Sequence, residues 1–238
     1  MNGQEVESSK YRDWVKENKL FLCDKFANLA QHPPTEKPTT LIMAGSPGAG
    51  KTEFSKTFNE EVVEHLKIPL NAVRVDADEI RDEIPGYNGK NSSIFHSAAC
   101  LGVDKLYQYA LKNDQNVILD GTFANYAKSC DNIKRSLSKN RYVGIFYIYQ
   151  DPLVAWEFTK DRELLEGRVV PKKVFIESLF AAKDNVNRAK QEFGNKIIVF
   201  LIEKNYKNKV KKTYFNVDGV DNHIKISYDY ESLKEKLS

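Results

Sequence analysis

A chain of 238 residues, 41% hydrophobic and 11% aromatic, has the composition of an ordinary globular protein and enough length for a sizeable core. Its 36 basic and 33 acidic residues leave a net charge of +3, too even a balance to call for nucleic acid or a membrane surface as partner. The longest purely apolar run, Ile197 to Ile202, is strand-sized, far short of a bilayer crossing. No basic-then-apolar leader opens the sequence, and Cys23, Cys100 and Cys130 are too few and too scattered for a disulfide framework. Reduced thiols and a cytoplasmic address are expected. His32, His65, His96 and His223 form no metal-spaced pair, which argues against zinc chemistry.

In chain order, Tyr11 to Leu29 reads as a helix, with Trp14, Leu20, Phe21, Phe26 and Leu29 at three- and four-residue spacing. Pro33, Pro34 and Pro38 end it in a connector. Thr40 to Ala44 is a short apolar run closing on glycines, the profile of a buried first strand, and Thr52 to Lys67 follows as a helix apolar at Phe54, Phe58, Val62, Val63 and Leu66. Ala72 to Asp76 and Asn116 to Asp120 read as the second and third strands, with a helix over Ser92 to Lys112 between them. A helix over Ala127 to Ser138, a fourth strand over Tyr142 to Tyr149 and a fifth over Ile197 to Ile202 complete the pattern. Strands alternating with helices predict an α/β fold, a doubly wound and mostly parallel five-stranded sheet covered on both faces. Residues 1–37 are expected to be a helical extension, 38–204 the nucleotide-binding core, and 205–238 a tail packed on that core, with a weak strand near Ile224 to Tyr228 and a terminal helical turn.

Between the first strand and its helix stands Gly45, Ser46, Pro47, Gly48, Ala49, Gly50, Lys51, Thr52, the spacing of a phosphate-binding loop. Its glycines let backbone N–H groups curl around phosphates, and the helix behind turns its positive end toward them. Lys51 is placed to bridge the transferring phosphoryl group of ATP or GTP, and Thr52 to hold Mg²⁺ through its hydroxyl.

Ligands of open α/β sheets bind beyond the carboxyl ends of the strands, where Asp76, Asp78 and Asp120 fall. Asp120 closes a run of the kind that assists Mg²⁺, or caps the next loop. A kinase also needs a carboxylate to orient the acceptor hydroxyl and take its proton; either Asp76 or Asp78 could serve, or cap the following helix. Arg162 and Arg168, on the segment after the fourth strand, suit a cationic lid over the γ-phosphate. Arg162 could equally pair with Glu166, while Gly167 and Pro171 around Arg168 suggest a shaped loop.

Taken together these motifs resemble the zeta toxins of bacterial toxin–antitoxin systems, which are P-loop kinases. The matching pieces are the phosphate loop, Asp76 to Arg81 with Pro85 and Tyr87, Ile118 to Thr122, Arg162, and Gly167 to Pro171, in order over roughly Thr40 to Asn187. The resemblance implies phosphorylation of UDP-N-acetylglucosamine on its 3-hydroxyl, with Asp78 as the base and Lys51, Arg162 and Arg168 on the phosphates. It further implies that Arg81 and Thr122 belong to the sugar-nucleotide pocket, that Asp104 stands where the family usually has a pocket glutamate, and that an antitoxin protein covers the nucleotide site. Two positions depart from the family: Ile84 replaces a frequent His, and Ala124 replaces a frequent Arg near the substrate's phosphates. Other acceptors for the same chemistry are a nucleoside, a dinucleotide or an RNA end. A nucleotide-binding switch is the alternative of another class, but it lacks an Asn-Lys-x-Asp base-reading motif.

Overall fold

The computed structural model describes residues 3–66, 71–207 and 209–237. Two helices, α1 (Gly3–Glu17) and α2 (Lys19–Ala27), precede β1 (Thr39–Ala44), α3 (Lys51–Leu66), β2 (Val73–Val75), α4 (Ala77–Asp82) and α5 (Ser92–Lys112). Then come β3 (Val117–Leu119), α6 (Tyr126–Leu137), β4 (Tyr142–Tyr149), α7 (Pro152–Glu166) and α8 (Lys172–Phe193). The chain ends with β5 (Ile198–Lys204), β6 (Val210–Tyr214) and α9 (Tyr230–Lys236).

The sheet has the order β2-β3-β1-β4-β5-β6; the first five strands are parallel and β6 runs antiparallel to β5. Because side chains alternate across a strand, β1 feeds both layers. Ile42 and Ala44 join the core under α5, α6 and α8, whereas Leu41 and Met43 join Phe54 and Phe58 of α3 on the other face. Strand β4 repeats the pattern, with Ile145 and Tyr147 on the first side and Phe146 and Ile148 on the second. The expected doubly wound α/β sheet is therefore present. The side chains of Val62, Val63 and Leu66, and Lys67 itself, lie outside the described residues.

Three expectations need correction. Among the described residues the sheet has six strands, since β6 forms inside the lysine-rich stretch after Glu203, while no strand covers Ile224 to Tyr228. The N-terminal helix is two helices, α1 beginning at Gly3 and breaking at Asn18, whose side-chain amide donates to the Trp14 carbonyl at 2.9 Å. Its buried face is only partly the expected one: Trp14 and Phe26 pack inward, but Leu20, Phe21 and Leu29 are exposed, Leu20 at 79%, and Val15, Leu22, Cys23 and Ala27 are buried. Val15 and Leu22 pack with Ile84 and Phe95 against α5, so the partner helix rather than the periodicity decides which face goes inside. At the other end, Leu233 and Leu237 pack with Ala155, Trp156 and Leu179 in a cluster of their own. No described helix is long and apolar enough to cross a membrane.

Candidate active site

The loop from Gly45 to Gly50 joins β1 to α3 at the carboxyl edge of the sheet. It is tied down at Gly45, whose N–H donates to the Thr122 carbonyl at 3.1 Å. Gly48 adopts φ +69°, and a Cβ there would stand 1.9 Å from the Ala155 carbonyl oxygen on α7, so only glycine fits this close approach. The Lys51 ammonium donates to the carbonyls of Gly45 at 3.1 Å and Ser46 at 2.7 Å. Burial lowers its pKa to about 8, helped by the positive charges of Arg162 and Arg168 and opposed by Asp120.

A cavity of about 410 Å³ opens over this loop. Pro47, Gly48, Gly50, Lys51 and Thr52 line one side, and Asp76, Asp78, Asp120 and Thr122 line the strand ends. Arg162 and Arg168 close it from α7 and the connector to α8. Of the loop residues, Gly45, Ser46 and Ala49 lie behind this lining; Ser46 and Ala49 are buried. The connector takes its shape from Gly167, which ends α7 in the left-handed region at φ +72°, and from Pro171, which stands immediately before α8. Arg162 is within the cavity wall; the side chain of Glu166, its alternative partner, lies outside the described residues.

The two candidate carboxylates have different surroundings. Asp76 caps α4, accepting from the Asp78 N–H at 2.8 Å, and it also pairs with Arg74. Burial, with the nearby Asp120 charge, pushes its pKa up to about 6. Asp78 is one third exposed and is held between two guanidinium groups, Arg81 at 2.6 Å and Arg168. Arg81 is itself buried and lies over the Tyr87 ring, 5.8 Å from its centroid. A second cavity of about 370 Å³, lined by Asp82, Tyr87, Asn88 and Gly89, shares Asp78 and Arg168 with the first. The Asp78–Arg168 pair is thus the wall between a phosphate-side and an outer chamber.

Asp120 is nearly buried and lies beside Thr52, whose hydroxyl donates to Asp120 Oδ2 at 3.3 Å. Two hard oxygen donors at the mouth of the phosphate loop fit Mg²⁺. Asp104 is placed elsewhere. Its carboxylate is held by Arg135 at 2.7 Å and Lys128 at 3.4 Å on α6, and it lines neither cavity. Although burial opposes it, this pairing keeps the Asp104 pKa below the ordinary carboxylate value.

Two features escaped the sequence reading. Arg74, in the middle of β2, reaches Asp76, Glu79 and Asp120 together. The signal was there: residues two apart on a strand face the same way, so Arg74 and Asp76 share a side. Asn185 of α8 donates to the carbonyls of Phe123 at 3.0 Å and Ala124 at 2.8 Å, fixing the loop beyond Thr122 where Phe123 has φ +64°. No local pattern announces that contact, which spans 62 residues of sequence.

Fold and phosphate loop together define a nucleotide-binding protein of the P-loop kinase type. The chain belongs to the zeta toxin family, whose sequence pattern it matches over residues 24–215. Its fold is similar to that of a chain from the PezAT chromosomal toxin–antitoxin system of Streptococcus pneumoniae. That match has a TM-score of 0.66 at 17% identity and covers 96% of this chain and 92% of the other. It is likewise similar to a chain of the AvrRxo1-ORF1:AvrRxo1-ORF2 complex solved with ATP, with a TM-score of 0.63 at 15% identity over 94% of this chain and 75% of that one. No curated protein sequence matches the chain.

Proposed function

We propose that this protein is a kinase that transfers the γ-phosphoryl group of ATP or GTP to a hydroxyl of UDP-N-acetylglucosamine or a related sugar nucleotide. The observation that carries the reading is one cavity over a phosphate loop that both Lys51 and Asp78 line. A pure binding module has no use for an acceptor-side carboxylate held by two arginines.

Phosphoryl transfer asks a protein for position and charge. Loop N–H groups and the start of α3 receive the phosphates, and Lys51 exchanges the Gly45 and Ser46 carbonyls for phosphate oxygens. Thr52 and Asp120 would hold Mg²⁺, which supplies positive charge on the same oxygens. Asp78 orients the acceptor hydroxyl and accepts its proton, for which it must first leave Arg168. Arg168, once released, turns its charge with Arg162 onto the transferring group. Arg81 stays on Asp78 and keeps the carboxylate aimed. Thr122 lines the acceptor end.

A second acceptor class, a nucleoside or dinucleotide, draws support from Asp104, whose engagement by Arg135 and Lys128 takes it away from a sugar-nucleotide pocket. The family and the toxin–antitoxin neighbour support a partner protein that covers the nucleotide site.

The test is transfer from γ-labelled ATP or GTP to a panel of UDP-N-acetylglucosamine, nucleosides and dinucleotides. Label should appear on the sugar nucleotide, disappear with Lys51→Ala, and fall by about 10²-fold with Asp78→Asn. Label on a nucleoside alone would replace the acceptor but keep the kinase. Full transfer by the Lys51 variant would defeat the whole reading.

A further inference from the structure

Nothing in the transfer scheme uses Arg74, yet it engages three carboxylates, two of which line the cavity. Its Nη2 donates to both Asp76 and Asp120, the latter at 2.8 Å, and its Nη1 donates to Glu79. The side chain is only 15% exposed, and its Nε is buried without a partner, so the guanidinium is fixed by carboxylates alone. Burial opposes its charge, but the bond to Asp120 and the charges of Asp76, Asp120 and Glu79 strengthen it.

The decisive atom is Asp120 Oδ2. It accepts from Arg74 and from the Thr52 hydroxyl at once, at 2.8 and 3.3 Å. A magnesium ion needs its oxygens at about 2.0–2.1 Å in near-octahedral array and gives up its waters reluctantly. With a guanidinium and a hydroxyl both donating to Oδ2, the carboxylate's charge is already engaged and Asp120 is a weaker ligand for the ion. Among the described residues no group of three or more His, Cys, Asp and Glu side chains could hold a metal ion by itself, so phosphate oxygens and water are needed to complete a Mg²⁺ site.

We propose that Arg74 is a positioning residue, an internal counter-cation that occupies Asp120 until a metal–nucleotide complex displaces it, so that the divalent ion enters only together with phosphates. The inference rests on the kinase reading for the identity of the loop. It explains why an arginine stands on a strand otherwise made of valine, two residues before Asp76. It also lessens the repulsion among three carboxylates, Asp76, Glu79 and Asp120, which share the one guanidinium. When Arg74 gives up Asp120 it retains Asp76 and Glu79, so the switch is a shift between partners rather than a loss of all of them.

Mn²⁺ reports on this without any turnover, because free and bound ion differ in their paramagnetic resonance signal. The full chain is titrated with Mn²⁺ alone, then with Mn²⁺ and ADP. Wild type should leave Mn²⁺ alone free and take the ion up only with ADP, the latter read as protein-bound labelled ADP and Mn²⁺ in equilibrium dialysis. Arg74→Met, of similar length but uncharged, should bind Mn²⁺ without nucleotide, tighter than wild type by about 10-fold or more, the scale on which residues behind a metal ligand act. Arg74→Lys, which keeps the charge but not the fork, should fall between them. If circular dichroism shows Arg74→Met unfolded, Arg74→Met combined with Asp76→Asn removes one of the repelling charges and carries the same expectation. Equal Mn²⁺ binding by wild type and the folded Arg74 variants overturns the inference, as does tight binding by nucleotide-free wild type. Labelled ADP that wild type fails to retain in the presence of Mn²⁺, read by equilibrium dialysis, would instead sink the phosphate-loop reading on which the proposal stands.

Discussion

Asp76 offers a sharp quantitative test because its stabilising and destabilising contacts can be separated by pH. Its pKa of about 6 lies above the ordinary 3.8, through burial first and the like charge of Asp120 second. One guanidinium, Arg74, is shared among three carboxylates and does not compensate fully. The folded protein therefore binds a proton at Asp76 between pH 3.8 and about 6 where the unfolded chain does not. The stabilisation conferred by that proton is complete below 3.8 and is lost as pH rises through about 6. At about 1.4 kcal/mol for each tenfold change in proton affinity, the loss comes to about 3 kcal/mol. Asparagine keeps the helix cap, since its side-chain oxygen accepts from the Asp78 N–H as the carboxylate does at 2.8 Å. Asp76→Asn should thus match wild type near pH 4 and exceed it by about 3 kcal/mol at pH 7.5. Urea unfolding followed by circular dichroism at a series of pH values measures this directly. A variant less stable than wild type at pH 7.5, or a difference that does not change with pH, would show that the Arg74 pair outweighs burial and would refute the reasoning.

Two further expectations follow from the cleft. Gly48→Ala forces a methyl group against the Ala155 carbonyl and the Thr159 hydroxyl, 1.9 and 2.5 Å away, at a left-handed φ. It should lower stability by about 1–3 kcal/mol and weaken nucleotide binding, read by urea unfolding and by titration with a fluorescent nucleotide; unchanged values in both would show that the loop gives way. Arg168→Ala should reduce kcat by about 10²-fold with little change in the nucleotide KM, because its charge reaches the transferring group only after leaving Asp78. A raised KM at constant kcat in steady-state assays would place Arg168 in ground-state binding instead.

Much of the frame was legible because the physics that forms it is local. The phosphate loop is specified by glycines where backbone must approach backbone, and Gly48 meets Ala155 as that logic requires. The buried strands announce themselves as apolar runs, since both faces of β1 and β4 are covered. What failed was decided by partners. On α2, Leu20 and Phe21 have the right spacing for a core face, yet α5 packs against Leu22 and Cys23. Strand β6 is invisible to a reading based on apolarity. Val210, Lys211, Lys212 and Thr213 are exposed, and the strand exists through its ladder with β5; lysines on such an edge discourage further pairing.

The site divides along the same line. Which acidic residues reach the cleft follows from strand ends, and Asp76, Asp78 and Asp120 all arrive there. Which of them is free to act does not follow, because that depends on cations from distant sequence. Arg168, 90 residues beyond Asp78, holds one oxygen of that carboxylate while Arg81 holds the other, and Arg74 holds Asp120 across 46 residues. Asp104 shows the converse: a matching position whose carboxylate is taken by Arg135, 31 residues on, on another helix. The acids of the cleft already touch cations of this chain, Asp78 with two arginines to itself and Asp76 and Asp120 sharing Arg74. In the proposed kinase an arriving phosphate therefore competes for cations already in place and sets the acids free as it takes them. Binding the nucleotide and arming Asp78, the proposed base, are then one exchange of partners.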